Sequence, residues 1–366
     1  MIRAALVSIL LASPASAQKF LTPPPPAPTP VSSVAPAETD PHLQSVADEL
    51  ARHPAIPGAV VAVVTPDAIR TAVAGRRAAG FGGAPVRPGD RWHVGSLGKA
   101  MTATLAARLR DRGRLDWDAT VGELLPAPGR FAAVTLEDLL THRGGLPANL
   151  PGVLARSAPD RAFYVQAGLR MPLSRPAEGR FHYSNVGYVV AGAMMERATG
   201  LSWEDLMRIE VFGPLGMTGA GFGPPPRNQG HSAGPDPVAP GPAADNPAVM
   251  GPAGTIHLTA EDMAAFLQAH LTWDAGYLSP DGWERLHTAP PGQDYAAGWL
   301  FQEGRLTHNG SNTLWWAWME IDHAAGRAIF VGVNAGDTRA VRMPIAEAVT
   351  ALRTPPLEDV VTTRSR

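Results

Sequence analysis

The sequence predicts an α/β (α+β) protein, in which an antiparallel sheet built from both chain ends is flanked by helices and interrupted by a mainly helical insertion. Near the start, residues 58–65 and 69–75 are predicted to form two strands joined by a Pro-Asp turn. Strand patterns return only near the end, after a long stretch in which apolar residues recur at helical spacing. One sheet assembled from both ends, with helices between, accounts for this order.

The residues before position 42 form two segments that are not expected to contribute to a folded core. Residues 1–17 combine a short positive start, an apolar run over 4–12 and the small-x-small sequence Ala15-Ser16-Ala17, which is typical of a signal peptide cleaved near Ala17. That run is far shorter than the roughly 20 residues of a membrane helix. Residues 18–41 are rich in proline and predict an extended tether. We therefore expect an exported protein, periplasmic or secreted.

Composition narrows the classes of partner. The absence of cysteine excludes disulfides, thiolate metal sites and a lipid anchor on a mature N-terminal cysteine. A net charge of -2, spread along the chain, gives no basic surface for nucleic acid. No later segment predicts a transmembrane anchor, and no H-E-x-x-H or tight histidine cluster predicts a metal. The expected partner is a small-molecule or peptide substrate, with cell-wall material among the candidates, and no cofactor is expected.

The folded domain is predicted to cover 42–354, followed by a polar tail at 355–366. Its first helix begins near His42, and helical spacing resumes from Ser96 to about Leu139. A helix over 186–199 is closed by Gly200, and a capped helix starts at Thr259. Ten glycines and ten prolines make 213–254 mostly irregular. Strands are predicted at 297–302, 305–308, 314–321 and 328–334, and a last helix at 342–352. The sheet part is thus about 54–95 and 290–354, and the helical part about 96–289.

The use of lysine singles out one position. Lys19 lies in the tether and Lys99 in the domain, whereas every other basic residue is arginine, which cannot give up its proton. Ser96 precedes Lys99 by three residues, so on a helix the two side chains share a face. Burial can lower a lysine pKa by up to about 3–5 units and make the amine a base. The Ser96 N–H, at the helix N-terminus, is suited to stabilising an oxyanion.

Two further motifs support acyl-transfer chemistry. Tyr183-Ser184-Asn185 lies where a predicted loop meets a helix. Because a phenol and a lysine amine have similar ordinary pKa values, either Tyr183 or Lys99 can take the proton of Ser96. Asn185 offers a donor and acceptors for a substrate amide. His308-Asn309-Gly310 ends a predicted strand and precedes Ser311, and its glycine allows a ligand to approach the backbone.

In this order and separation, the three motifs resemble those of the serine β-lactamase and penicillin-binding-protein superfamily. The likeness is greatest to its branch of class C β-lactamases, D-Ala-D-Ala carboxypeptidases and related family VIII esterases. It extends over about 54–335 and includes supporting stretches at 113–116, 135–147, 183–188 and 213–217. The resemblance implies a β-lactamase/transpeptidase-like fold with its site in the cleft between the helical part and the sheet.

The resemblance also implies roles for single residues. Ser96 is then the nucleophile, Lys99 its activating partner and Tyr183 the general acid/base. The other implied roles concern the substrate. Asn185 holds the substrate amide, and His308 supports the substrate and Tyr183. The N–H groups of Ser96 and Ser311 form an oxyanion hole, and Asn149 lines the substrate entry.

Departures from the family pattern leave the substrate open. The third motif often reads Lys-Thr-Gly or His-Thr-Gly, and its His-Asn-Gly form here lacks a permanent cation for a carboxylate. This argues against an efficient β-lactamase, while ester hydrolysis, β-lactam hydrolysis and D-amino-acid peptide cleavage all remain candidates. The bulky strand 314–319 is expected in the core. The G-x-S-x-G sequence at 230–234 lacks the strand and helix of a nucleophile elbow. A different alternative is an inactive cell-wall-binding protein that retains the fold.

Overall fold

The computed structural model of the protein describes residues 40–80, 82–174, 180–232 and 236–354. The predicted signal peptide, nearly all of the tether and the polar tail lie outside these residues. The helices are α1 (Pro41–Arg52), α2 (Gly98–Asp111), α3 (Val121–Leu124), α4 (Gly129–Ala132), α5 (Leu136–Leu140), α6 (Gly152–Ser157), α7 (Arg161–Arg170), α8 (Asn185–Thr199), α9 (Trp203–Met207), α10 (Gly251–Gly254), α11 (Ala260–Thr272), α12 (Pro280–His287) and α13 (Thr338–Arg353). Shorter 3-10 turns occupy Gly95–Leu97, Pro242–Ala244 and Ala248–Met250, and a π-helical turn occupies Arg208–Phe212.

The strands form one large sheet and two small ones. They are β1 (Gly58–Val64), β2 (Ile69–Gly75), β3 (Trp92–His93), β4 (Gly221–Phe222), β5 (Gly230–His231), β6 (Pro237–Val238), β7 (Ile256–Leu258), β8 (Leu300–Gln302), β9 (Arg305–Ser311), β10 (Trp316–Asp322) and β11 (Arg327–Val333). The large sheet has the order β2-β1-β11-β10-β9-β8, and each of its neighbouring pairs is antiparallel. Because β1 pairs with β11, the predicted sheet built from both chain ends is confirmed.

Helices cover both faces of the large sheet. On one face α1 and α13 pack against Val61 of β1 and Val331 of β11, and on the other α11 packs beside Val60 and Phe330. Successive residues of a strand point to opposite faces, so a strand covered on both sides must be apolar throughout. This explains the uninterrupted run Gly-Ala-Val-Val-Ala-Val-Val of β1, in which every residue is buried.

The helical region is built around α2 and α8. All residues of α2 from Gly98 to Ala107 are buried, and α8 is buried from Val186 to Met195. The α8 helix begins after the N-cap Ser184 and ends at Gly200, which adopts a left-handed conformation (φ 79°) as predicted. Within the described ranges, no helix has both the length and the apolar character that crossing a membrane requires.

Several element boundaries differ from the prediction for local reasons. The stretch from Ser96 to Leu139 is broken into α2 and three short helices. The strand predicted from residue 297 starts at Leu300, since Gly298 is left-handed (φ 81°) and interrupts an extended strand. The last helix starts at Thr338 because Asp337 caps it, and Pro344 is accommodated inside it. Trp315 and Trp316 are buried, as expected for the bulky strand, whereas Trp318 is only partly buried.

Candidate functional site

The predicted nucleophile lies on the turn that opens α2. Ser96 is the middle residue of the 3-10 turn Gly95–Leu97, which continues directly into α2. Gly95 is left-handed (φ 52°), a conformation that glycine adopts without strain. The turn leaves Ser96 partly exposed while its neighbours on both sides are buried. A partly exposed hydroxyl at the start of a buried helix is open to a substrate from one side only.

Lys99 lies beneath this hydroxyl and is completely buried. Its Nζ is 3.0 Å from Ser96 Oγ and 2.6 Å from the carbonyl oxygen of Ala253. Burial lowers the pKa of Lys99 well below its ordinary value, because an ammonium in this position loses its hydration. A neutral amine can donate one N–H to Ala253 and accept the Ser96 proton through its lone pair.

Tyr183 approaches the same hydroxyl from the start of α8. Its side chain is close enough to Ser96 to be influenced by that hydroxyl, and Lys99 Nζ lies 4.9 Å from the centre of its ring. Burial raises the pKa of Tyr183 to about 12, against the opposing effect of Ser96. The two shifts have opposite directions and both favour the uncharged form. The arrangement therefore favours an uncharged amine and a protonated phenol around one serine.

His142 fixes the position of this tyrosine. Its ring lies 4.2 Å from that of Tyr183, and its Nδ1 accepts a hydrogen bond of 3.0 Å from the backbone N–H of Ser184. Its own carbonyl accepts from the His182 N–H at 2.8 Å, so contacts on both sides of Tyr183 hold the backbone. Burial lowers the pKa of His142 well below its ordinary value, which keeps the ring neutral.

Strand β9 closes the other side of the site. A Cβ atom on Gly310 would lie 2.8 Å from the backbone N of Ser96, and one on Gly95 would lie 2.5 Å from the backbone N of Ser311. Neither position therefore has room for a side chain. The close approach places the backbone of Ser311 beside the turn that carries Ser96.

His308 lies on β9 next to these groups, with its ring 6.4 Å from that of Tyr183. Its Nδ1 is 2.7 Å from the carbonyl oxygen of Asn309, and its Nε2 is 3.0 Å from the hydroxyl of Tyr295. Burial lowers the pKa of His308 to about 3. The ring is thus a neutral group at ordinary pH.

Asn185 and Asn149 are brought together at the entrance. Asn185 Nδ2 donates to Asn149 Oδ1 at 2.7 Å, and Asn149 is exposed. This pairing leaves the side-chain oxygen Oδ1 of Asn185 and the side-chain Nδ2–H groups of Asn149 for a ligand. The exposed Asn309 adds a third amide along the same strand as Ser311.

A buried pair behind the nucleophile escaped the sequence analysis. His93 Nε2 lies 2.7 Å from Asp245 Oδ1, and His93 Nδ1 accepts the Gly95 N–H at 3.1 Å. Asn312, just after β9, donates to the same carboxylate at 3.3 Å. The pair therefore connects the turn that carries Ser96 with the strand end that carries Ser311.

Tyr188 and Tyr295 were also missed as site residues. Tyr188 donates to the Leu140 carbonyl at 2.7 Å, and Lys99 Nζ lies 5.5 Å from its ring centre. Tyr188 lies five residues after Tyr183, so the sequence around the second motif could have indicated a second site tyrosine. Nothing near Tyr295 in the sequence indicated a role in the site. By contrast, His231 of the G-x-S-x-G sequence is structural: it bonds the carbonyl oxygen of Asn334 and the N–H of Ala79.

Comparisons with known proteins identify the family of this chain. The family model described as Beta-lactamase matches residues 43–352. Penicillin-binding protein 4 of Amycolatopsis lactamdurans is 31% identical over 261 residues, which are 68% of this chain and 67% of that protein. PbpX of Bacillus subtilis (strain 168) is 28% identical over 231 residues, 61% of this chain and 56% of PbpX. The chain thus spans between about half and two thirds of the length of these two relatives.

The fold agrees as well. The crystal structure of a class C β-lactamase from Rhodobacter sphaeroides superposes with a TM-score of 0.71 at 21% identity, covering 86% of this chain and 99% of that one. At this identity the likeness concerns the fold alone. The family match over most of the chain and the likeness in fold agree. The chain belongs to the β-lactamase family, within the superfamily of serine β-lactamases and penicillin-binding proteins, which is a superfamily of serine hydrolases.

Proposed function

We propose that this protein is an acyl-transfer hydrolase in which Ser96 forms an acyl-enzyme on an ester or amide substrate. The observation that carries the proposal is the completely buried Lys99 amine, 3.0 Å from Ser96 Oγ. A lysine without hydration and beside a hydroxyl is suited to act as a base. A binding protein that merely retains the fold has no need of such an amine.

The proposed reaction moves one proton around a closed path. Ser96 Oγ attacks the acyl carbon and its proton passes to the Lys99 amine, while Tyr183 gives its phenolic proton to the leaving atom. Lys99 then returns the proton to the phenolate of Tyr183. The N–H groups of Ser96 and Ser311 stabilise the oxyanion that forms between these steps. Water resolves the acyl-enzyme by the same path in reverse, which frees the acid and restores the Ser96 hydroxyl.

The proposal divides the two proton-carrying roles that the sequence left open. The lowered pKa of Lys99 and the raised pKa of Tyr183 favour the amine as the base and the phenol as the proton donor. Asn185 is proposed to hold the acyl amide, and Asn149 and Asn309 to line the path by which substrate enters. His308 is proposed as a neutral support for the tyrosine cluster.

A comparison of two serine variants tests the proposal. Ser96→Ala is expected to abolish labelling by fluorescent penicillin and hydrolysis of p-nitrophenyl butyrate, since removing a covalent nucleophile costs on the order of a millionfold in turnover. Ser232→Ala is the matched control, because Ser232 is the exposed serine of the unused G-x-S-x-G sequence. Wild-type protein that shows neither labelling nor turnover above Ser96→Ala would favour the inactive cell-wall-binding alternative.

We also propose that the enzyme acts outside the cytoplasm. The support is the pattern of residues 1–17, which is typical of a signal peptide. N-terminal sequencing of protein recovered from periplasm or medium is expected to begin just after Ala17. Recovery of the chain only from the cytoplasm, with Met1 or Ile2 at its N-terminus, would contradict export.

A further inference from the structure

We infer that this site takes acyl donors whose leaving group carries no carboxylate, such as neutral esters and thioesters. The inference rests on the acyl transfer proposed above and identifies its class of substrate. It depends on the hydrogen bonds of one histidine, on the place of the leaving group in the proposed reaction, and on the side chains that border that place.

The leaving group must lie beside the third motif. Its departing atom receives the proton of Tyr183, so it lies next to that phenol when the acyl carbon is at Ser96 Oγ. The ring nearest to this tyrosine on strand β9 is that of His308, at 6.4 Å. Substituents that extend from the departing atom along β9 away from Ser311 therefore lie near His308 and the exposed Asn309.

Both ring nitrogens of His308 are already used inside the protein. The carbonyl oxygen of Asn309 can only accept, so Nδ1, at 2.7 Å from it, carries the proton. Nε2 then has a lone pair and accepts the Tyr295 O–H at 3.0 Å. With 7% of its surface exposed, His308 offers a substrate neither an N–H donor nor a positive charge.

The neighbours keep this arrangement in place. Tyr295 is buried, and its ring lies 4.7 Å from that of His142 and 5.4 Å from that of Phe181. Turning His308 toward a substrate would leave the Tyr295 hydroxyl without its partner in the interior. Phe181 keeps 43% of its surface exposed and so adds an apolar face beside the same cluster. A carboxylate placed here would lose water without gaining a partner from His308.

Two thioesters that share one acyl group provide the test. Benzoylglycyl thioesters of thioglycolic acid and of thioglycolamide release leaving groups that differ only in a carboxylate against an uncharged amide. Release of thiol is followed with a disulfide reagent, to which the chain itself contributes no background because it has no cysteine. The wild-type kcat/KM is expected to be at least about tenfold higher for the amide-bearing thioester. His308→Lys, which supplies a permanent cation, is expected to raise the acid-to-amide ratio by about tenfold or more.

Each outcome decides something. Hydrolysis of neither thioester above Ser96→Ala would remove the acyl transfer itself, and this inference with it. Equal or faster turnover of the acid by wild type would overturn the inference alone. If Arg180→Ala then turned over the acid more slowly than the amide, Arg180, which precedes Phe181, would be the residue that recognises the carboxylate. A folded His308→Lys variant with an unchanged ratio would show that His308 does not set the selectivity. If that variant does not fold, the wild-type ratio still decides.

Discussion

Lys99 Nζ donates to the backbone carbonyl of Ala253 at 2.6 Å, and this bond fixes the amine under Ser96 without a carboxylate partner among the described residues. The segment that carries Ala253 packs tightly on the nucleophile turn, since a Cβ on Gly254 would lie 2.9 Å from the carbonyl oxygen of Gly95. A carboxylate in contact would stabilise the charged ammonium strongly, whereas an uncharged carbonyl does so less and also accepts a hydrogen bond from a neutral amine. The backbone therefore positions Lys99 and leaves it free to lose its proton.

The first prediction concerns the need for a group that can lose a proton. Lys99→Arg keeps a cation near Ser96 but supplies a guanidinium that stays protonated, so kcat/KM for a neutral ester is expected to fall by about a thousandfold or more. The kcat/KM of Lys99→Ala should fall by a similar factor. Ester hydrolysis measures kcat/KM for both variants, and the rate at which a fluorophosphonate labels Ser96 reports the reactivity of the serine in each. Circular dichroism spectra that match wild type control for folding. An arginine variant that keeps more than about a tenth of wild-type activity would rule out Lys99 as the base.

The second prediction is a pH profile with one ascending limb. The neutral amine is required, and its folded-state pKa is lowered, so activity is present above that pKa and is lost as pH falls through it. Tyr183, with its pKa raised to about 12, stays protonated and gives no descending limb in the working range. We expect kcat/KM to rise and reach a plateau well below pH 10.5, the ordinary value for lysine.

Tyr183→Phe supplies the matched test for that profile. It removes only the phenolic hydroxyl, so kcat is expected to fall by about 10²–10⁴-fold with little change in KM, and the ascending limb should persist. A wild-type rate that climbs steadily toward pH 12 without a plateau would instead identify the phenolate of Tyr183 as the base.

The parts of the fold and site that depend on neighbours in sequence were predictable. The apolar run of β1, the reciprocal cap between Thr259 and Asp262, and the three-residue spacing of Ser96 and Lys99 are all local patterns. The structure brings residues of the second and third motifs close to Ser96.

The parts that depend on distant contacts were not predictable. Asp245 lies in the Gly- and Pro-rich stretch 213–254, which has no periodic pattern, yet it meets His93 from 152 residues away. Tyr295 follows a loop and shows no local sign of its bond to His308. In both pairs the polar partners are buried, and the fold alone decides which groups meet.

The third prediction uses the close approach of β9 to the nucleophile turn. A Cβ on Gly310 would lie 2.1 Å from the carbonyl oxygen of Val94 and 2.8 Å from the N of Ser96, so Gly310→Ala must push the strand away. We expect kcat to fall by about a hundredfold or more, because displaced oxyanion donors cost that much. Gly129→Ala is the control: no atom lies within 4 Å of its added Cβ, and it should be neutral or stabilise by up to about 1 kcal/mol. Equal activity of the two variants would contradict the proposed two-amide hole.

The fourth prediction concerns a buried chain of hydrogen bonds behind α2. Thr104 Oγ1 donates to the Ala100 carbonyl at 2.9 Å and therefore accepts from His270 Nε2 at 3.1 Å. His270 Nδ1 then accepts from His287 Nε2 at 2.9 Å. Both rings are neutral in this arrangement. Burial, with a smaller effect from nearby His323, lowers the pKa of His287 to about 3.

A neutral buried histidine makes the fold sensitive to acid. The unfolded chain binds a proton at His287 below about pH 6.5, whereas the folded protein does not until about pH 3, so stability falls as pH falls between these values. The slope for one histidine is at most about 1.4 kcal/mol per pH unit. His287→Gln keeps a donor to His270 without titrating, so between about pH 6.5 and pH 5 it should lose about 1.5 kcal/mol less than wild type in urea unfolding. His53→Gln, at the partly exposed end of α1, controls for the removal of one histidine. Parallel stability curves for wild type and His287→Gln would show that this ring is hydrated, and able to take up a proton, in the folded protein.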